Sequence, residues 1–79
     1  MSSFQHDFYR RLIEMLIAAR KNAGITQTEL GKRIGQRQTF VSKFEQGERR
    51  LDIAEFVTVS RAIGVDPHHI IRVAEIADL

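Results

Sequence analysis

The chain has 79 residues, no cysteine and a net charge of +2, which fits one domain (residues 1–79) and excludes disulfide staples and thiolate metal sites. A core this small supplies only about 3–5 kcal/mol by itself, so a compact helical core helped by a second subunit is expected. No apolar run approaches the ~18 residues of a membrane span, and the first seven residues lack the charged-then-apolar pattern of a secretory leader, so the expected setting is the cytoplasm.

Glycine and proline punctuate the chain, and nothing alternates with period two for long enough to make a strand. The first helix is expected from about Phe4 or Asp7 to Asn22, with Phe8, Leu12, Leu16 and Ala19 as its inward stripe. Phe4, Ile13 and Ile17 widen that stripe beyond what one small core covers, and surplus apolar surface of this kind suits a partner. Gly24 follows as a left-handed stop. Thr26 with Glu29 three residues on reads as a capping box opening a second helix, whose Leu30 and Ile34 face inward. Gly31 lies inside this helix, where glycine costs roughly 1 kcal/mol relative to alanine; a neighbouring helix crossing closely there would explain it. Gly35 ends the helix.

A third helix is expected over about Gln38–Gln46. Val41 and Phe44 point inward, Gln38, Thr39, Ser42 and Lys43 outward, and Gly47 stops it. Asp52 with Glu55 opens a fourth helix that runs to about Ile63, burying Phe56, Val59 and Ile63, before Gly64. Asp66-Pro67 pairs an N-cap with proline at the first helical position. The fifth helix continues through Ile70, Ile71, Val73 and Ala74 to about Ala77. The fold class is therefore all-α with five helices.

Charge is unevenly placed. Residues 1–19 balance; residues 20–50 carry eight basic side chains against three glutamates, a net +5; residues 51–79 carry a net −3. A basic middle beside an acidic end provides one face for a polyanion. Enzymatic chemistry has little foothold. His68 and His69 are adjacent and so point about 100° apart on a helix, His6 is remote from both, and no phosphate-binding glycine loop, nucleophile elbow or carboxylate pair appears. No metal site or cofactor is expected.

Two short helices joined by a tight turn at Gly35-Gln36-Arg37 form a helix-turn-helix unit, with the motif over about residues 27–46. The run Ala23-Gly24-Ile25-Thr26-Gln27-Thr28-Glu29-Leu30-Gly31-Lys32-Arg33-Ile34-Gly35, followed by Gln38-Thr39-Phe40-Val41-Ser42-Lys43-Phe44-Glu45-Gln46-Gly47-Glu48-Arg49-Arg50, resembles the Cro/repressor-type (XRE) helix-turn-helix family in register from about residue 12 to 71. The resemblance implies a lambda-repressor-like five-helix fold with a recognition helix, about residues 38–46, in the major groove of double-stranded DNA. It assigns base edges to Gln38, Thr39, Lys43 and Ser42: glutamine suits adenine, lysine guanine, and the threonine methyl a thymine methyl. It assigns a phosphate to Gln27, at a helix start where N–H groups favour an anion; Arg49 and Arg50, in the loop after the third helix, suit flanking phosphates, and Arg37 is a weaker candidate for one. It pairs Arg20 with Glu45 as a structural ion pair.

Three positions depart from the family pattern. Arg37 replaces a capping Ser or Thr, forgoing about 1 kcal/mol. Gln36 replaces an apolar turn residue. Phe40 replaces Tyr or a small polar residue, so it would touch thymine methyls or pack locally. The expected function is a transcriptional regulator, as a repressor, binding a palindromic operator as a homodimer. The surplus apolar residues Phe4, Ile13, Ile17, Val73, Ile76 and Leu79 suit either the homodimer or a protein partner, the homodimer being the simpler reading. The alternative is an antitoxin-like or adaptor protein whose main role is binding another protein.

Overall fold

The computed structural model describes residues 2–77, with side chains from Asp7 onward; Phe4 and Leu79, two of the surplus apolar residues, lie outside the described side chains. Five α-helices follow in chain order: α1 (Ser2–Asn22), α2 (Gln27–Ile34), α3 (Gln38–Glu45), α4 (Ile53–Ile63) and α5 (Pro67–Ala77). The described residues contain no strand. The helices start and stop close to the expected positions because the local chemistry there is explicit. The Thr26 hydroxyl accepts the Glu29 N–H at 3.0 Å, and the Asp52 carboxylate accepts the Glu55 N–H at 2.7 Å. Only at Asp52 is the box closed reciprocally, by the Glu55 carboxylate on the Asp52 N–H. At α2 the structure shows one half of the box, and the Glu29 carboxylate pairs with Arg33 one turn on.

α2 packs on α3 and α4, while α1 packs across α3, α4 and α5. At the centre Leu30, Val41 and Phe44 are wholly buried, joined by Leu16, Phe56, Val59 and Ile70. Polar atoms brace the edges. Arg33 Nη1 donates to the Ala62 carbonyl at 2.9 Å, tying the end of α2 to the end of α4. Arg11 Nε donates to the Ala74 carbonyl at 3.3 Å, tying α1 to α5. The buried Ser60 hydroxyl donates to the Phe56 carbonyl one turn back, at 2.8 Å.

The inward line of α1 differs from the expected stripe. Ile13, Leu16 and Arg20 are buried, whereas Phe8, Leu12 and Ala19 are half-buried at the border. An apolar count cannot place an inward arginine, and Arg20 rolls the helix toward its partner in α3. Ile13 therefore belongs to the core, and Ile17 packs partly against it. Val73 and Ile76 on α5 stay exposed, at 37% and 61%. Ile53 and Val57 on α4, exposed at 70% and 36%, form an apolar pair that periodicity did not single out.

Gly31 is explained by the turn, not by a crossing helix. A Cβ there would lie 2.8 Å from the Gln36 carbonyl oxygen and 3.2 Å from the Arg37 carbonyl. The turn lies flat against α2 because the Gln36 N–H donates to the Gly31 carbonyl at 2.8 Å, and Gly35 leads into it at φ 71°. Gly31→Ala should therefore destabilise, since overpacking costs about 1–3 kcal/mol against a propensity gain of about 1 kcal/mol. We expect a thermal midpoint several degrees below wild type, at roughly 4–8 °C per kcal/mol, followed by circular dichroism. A midpoint at or above wild type would mean that the turn moves aside freely.

Candidate nucleic-acid interface

An eight-residue helix is only marginally stable in water, so α3 depends on what lies behind and beside it. Behind it, Val41 and Phe44 are wholly buried. At its C-terminal end Glu45 meets Arg20 from α1 in a two-pronged pair, Nε to Oε2 at 2.7 Å and Nη2 to Oε1 at 3.0 Å. The third donor of this guanidinium, Nη1, reaches the Ile25 carbonyl at 2.8 Å. Both side chains of the pair are less than a tenth exposed, and no buried side-chain polar atom among the described residues lacks a partner.

A second layer rests on this pair. Gln27, at the first position of α2, donates from Nε2 to Glu45 Oε1 at 2.9 Å. Gln38, at the first position of α3, donates from Nε2 to Gln27 Oε1 at 2.6 Å. Arg20, Glu45, Gln27 and Gln38 thus form one connected chain from the core to the surface. Sequence reasoning assigned Gln27 to a phosphate and Gln38 to a base; the structure adds that the two side chains touch.

The outer face of α3 carries Gln38, Thr39 and Lys43, all exposed, with Ser42 half-buried beside them. The Ser42 hydroxyl donates to the Thr39 carbonyl at 3.3 Å. Arg37 is the N-cap residue and exposed; its backbone is extended and its side chain makes no cap hydrogen bond. Val41 and Phe44 fill the back of the helix, so the four outward residues are presented together on a fixed surface.

The loop after α3 is more heavily tied down than charge counting implies. Arg49 makes a bidentate pair with Glu55, Nη1 to Oε1 at 2.9 Å and Nη2 to Oε2 at 2.7 Å, and its guanidinium lies 4.6 Å from the Phe40 ring centre. Phe40 in turn meets Phe44 edge to face at 5.9 Å. Phe40 therefore packs locally. Arg50 turns the other way and stacks over Tyr9 at 4.1 Å, and the Tyr9 hydroxyl accepts the Leu51 N–H at 3.0 Å. The structure thus brings the four outward residues of α3 together with Gln27 and Arg37, and places Arg49 and Arg50 on separate sides of the loop. Sequence reasoning missed Tyr9, and it read Glu55 only as a cap. Neither role leaves a periodic signal, because each depends on where a loop returns.

Comparison with known proteins agrees with this geometry. The helix-turn-helix family (HTH_3) matches residues 16–70. A solved structure described as an XRE-family like protein from Pseudomonas syringae pv. tomato superposes with a TM-score of 0.93 at 43% identity, covering 96% of this chain and 93% of that one. Antitoxin HigA1 of Mycobacterium tuberculosis, in two strains, is 51% identical over 37 residues, which make up 47% of this chain. That match spans only 25% of the antitoxin's length.

Two outcomes follow from the ion pairs. Arg20→Met leaves the Glu45 carboxylate buried without its main partner and should cost about 3–5 kcal/mol, whereas the double variant Arg20→Met/Glu45→Leu should recover much of it. Urea denaturation of both variants measures this, and equal losses would contradict the assignment. The Glu55 carboxyl is held down to about 2 from an ordinary 4.5, first by the Arg49 guanidinium and then by the Asp52 N–H. A lowered folded-state value means that this contribution is complete above about 4.5 and is lost as pH falls toward 2. Wild type should therefore lose more stability across that window than Glu55→Gln, in acid titrations followed by circular dichroism. Parallel titrations would show that the pair does not stabilise the fold.

Proposed function

The chain belongs to the XRE-type helix-turn-helix family, a family of DNA-binding regulators, and from that premise we propose that it is a sequence-specific repressor acting as a homodimer on a palindromic operator. The observation that carries this reading is the outer face of α3, where Gln38, Thr39 and Lys43 stand exposed on a helix whose back is wholly buried. Their chemistry fits the major groove: a glutamine amide matches adenine N6 and N7, lysine donates to guanine O6 or N7, and the threonine methyl meets a thymine methyl. Ser42 is the fourth base candidate. Gln27 and Arg37 flank this row and, with Arg50 in the loop beyond it, are assigned to phosphates, which set register without reading sequence.

The size of the molecule supports a dimer. One protomer measures 35 × 23 × 20 Å and offers one recognition helix about 12 Å long, enough for one half-site. Half-sites one helical turn apart are separated by about 34 Å, so the second needs a second copy. Exposed Val73 and Ile76 offer apolar surface for that contact. A second reading, in which a protein partner is the main target, is favoured by the similarity to Antitoxin HigA1 over 37 residues.

Selection of bound duplexes from a randomised pool at near-physiological salt tests the proposal. We expect an inverted repeat with half-sites one turn apart, and we expect Lys43→Ala to relax preference at one or two positions by about 1–3 kcal/mol. Recovery of no common sequence would favour the protein-partner reading instead, and unchanged preference in the variant would reject Lys43 as a base reader.

A further inference from the structure

The DNA-binding reading leaves open what sets the roll of α3 on the side away from the Arg20–Glu45 pair. Arg49 would be counted a phosphate contact by its charge and its place in the loop. Its geometry says otherwise. Both terminal nitrogens donate to the two Glu55 oxygens, at 2.9 and 2.7 Å, and Nη1 also reaches the Arg50 carbonyl at 3.2 Å. The flat face of the guanidinium lies on Phe40. Bidentate arginine–carboxylate pairs are the strong members of their class, and this one has the fixed geometry that most surface pairs lack. To turn this fork onto a phosphate, Arg49 would have to abandon two charge-assisted bonds and a ring contact. It would also uncover an acidic side chain beside a polyanion.

Glu55 is anchored as firmly. It lies in the first turn of α4 and accepts the Asp52 N–H at 3.0 Å with the same oxygen that takes Arg49 Nη1. Phe40 shares the short helix α3 with Thr39 and Lys43, so fixing Phe40 fixes the roll of the helix and with it the direction in which those two side chains leave it. We propose that Arg49 is a positioning residue and not a phosphate contact: clamped by Glu55 and laid on Phe40, it braces the recognition face against the start of α4. This inference rests on the DNA-binding reading for its purpose, but the brace can be tested apart from it.

The test uses Arg49→Lys and Glu55→Gln. Lysine keeps the charge but loses the planar fork and the stacking. Glutamine still closes the capping box but cannot hold the guanidinium as an anion. Affinity is measured for the selected duplex and for a scrambled one, across a salt series and well below the thermal midpoint. A brace predicts that both variants narrow the ratio of the two affinities by roughly threefold or more, as for coupled residues in contact, with no rise in salt slope. A phosphate contact predicts the reverse: Glu55→Gln releases Arg49, tightens both duplexes alike and raises the slope by about one, and that outcome overturns the proposal. A variant that only lost stability would leave the ratio unchanged, which also overturns it.

Amide hydrogen exchange of the free protein completes the test. Faster exchange at Leu51 and Asp52 in both variants supports the brace, and unchanged exchange in both rejects it. If wild type prefers no duplex, the function reading falls while the brace is judged on exchange alone.

Discussion

The buried pair of Arg20 and Glu45 is the constraint on which the rest of the molecule hangs. Removing two charges from water costs several kcal/mol each, and their attraction repays this only when the remaining donors and acceptors are satisfied. Here they are: Arg20 spends its three nitrogens on Glu45 and the Ile25 carbonyl, and Glu45 takes Arg20 and Gln27. A pair of this kind adds little net stability over a well-packed apolar substitute, but it specifies an arrangement. It sets the roll of α1, the path of the chain through Ile25 into α2, and the position of the last turn of α3.

Support of α3 is tertiary throughout. Its N-cap residue Arg37 contributes no side-chain hydrogen bond, and eight residues are too few to hold a helix unaided. Val41 and Phe44 seat it on the core, Glu45 pins one end, and the turn 35–37 is pressed onto Gly31 at the other. The loop that follows is fastened on two sides, to Tyr9 in α1 and to Glu55 in α4. The outward side chains of α3 therefore stand on a scaffold made by all of its neighbours.

Much of the fold could be read along the chain because its signals are local. Thr26, Asp52, Asp66-Pro67 and the glycines at 24, 35, 47 and 64 each act within a turn of where they stand, and they placed all five helices. The inward residues of α3 and α4 followed from simple spacing. The roll of α1 did not, because its deepest polar residue is an arginine and periodicity scores arginine as surface. The reason for Gly31 was misplaced for a similar cause: the need for glycine was visible, but the backbone that approaches it belongs to a turn, whose path no spacing rule describes. In the candidate site, residue types on α3 were legible and their mutual contacts were not. Gln27–Gln38, Arg49–Glu55 and Arg50–Tyr9 are meetings between different elements, and only the assembled fold brings them about.

The chain of side chains from Glu45 outward also has a polarity. A carboxylate can only accept, so the Gln27 amide must turn its NH2 group toward Glu45 and its carbonyl oxygen away. That oxygen can only be met by a donor, so Gln38 must offer an N–H inward, as it does. What remains of the Gln38 amide at the surface is one N–H and the carbonyl oxygen, in an order dictated two residues beneath. An isolated glutamine is a two-faced reader that can reverse its amide at almost no cost. Here a single buried negative charge removes that freedom, so the hydrogen-bonding handedness of the outermost group is inherited from the protein's interior.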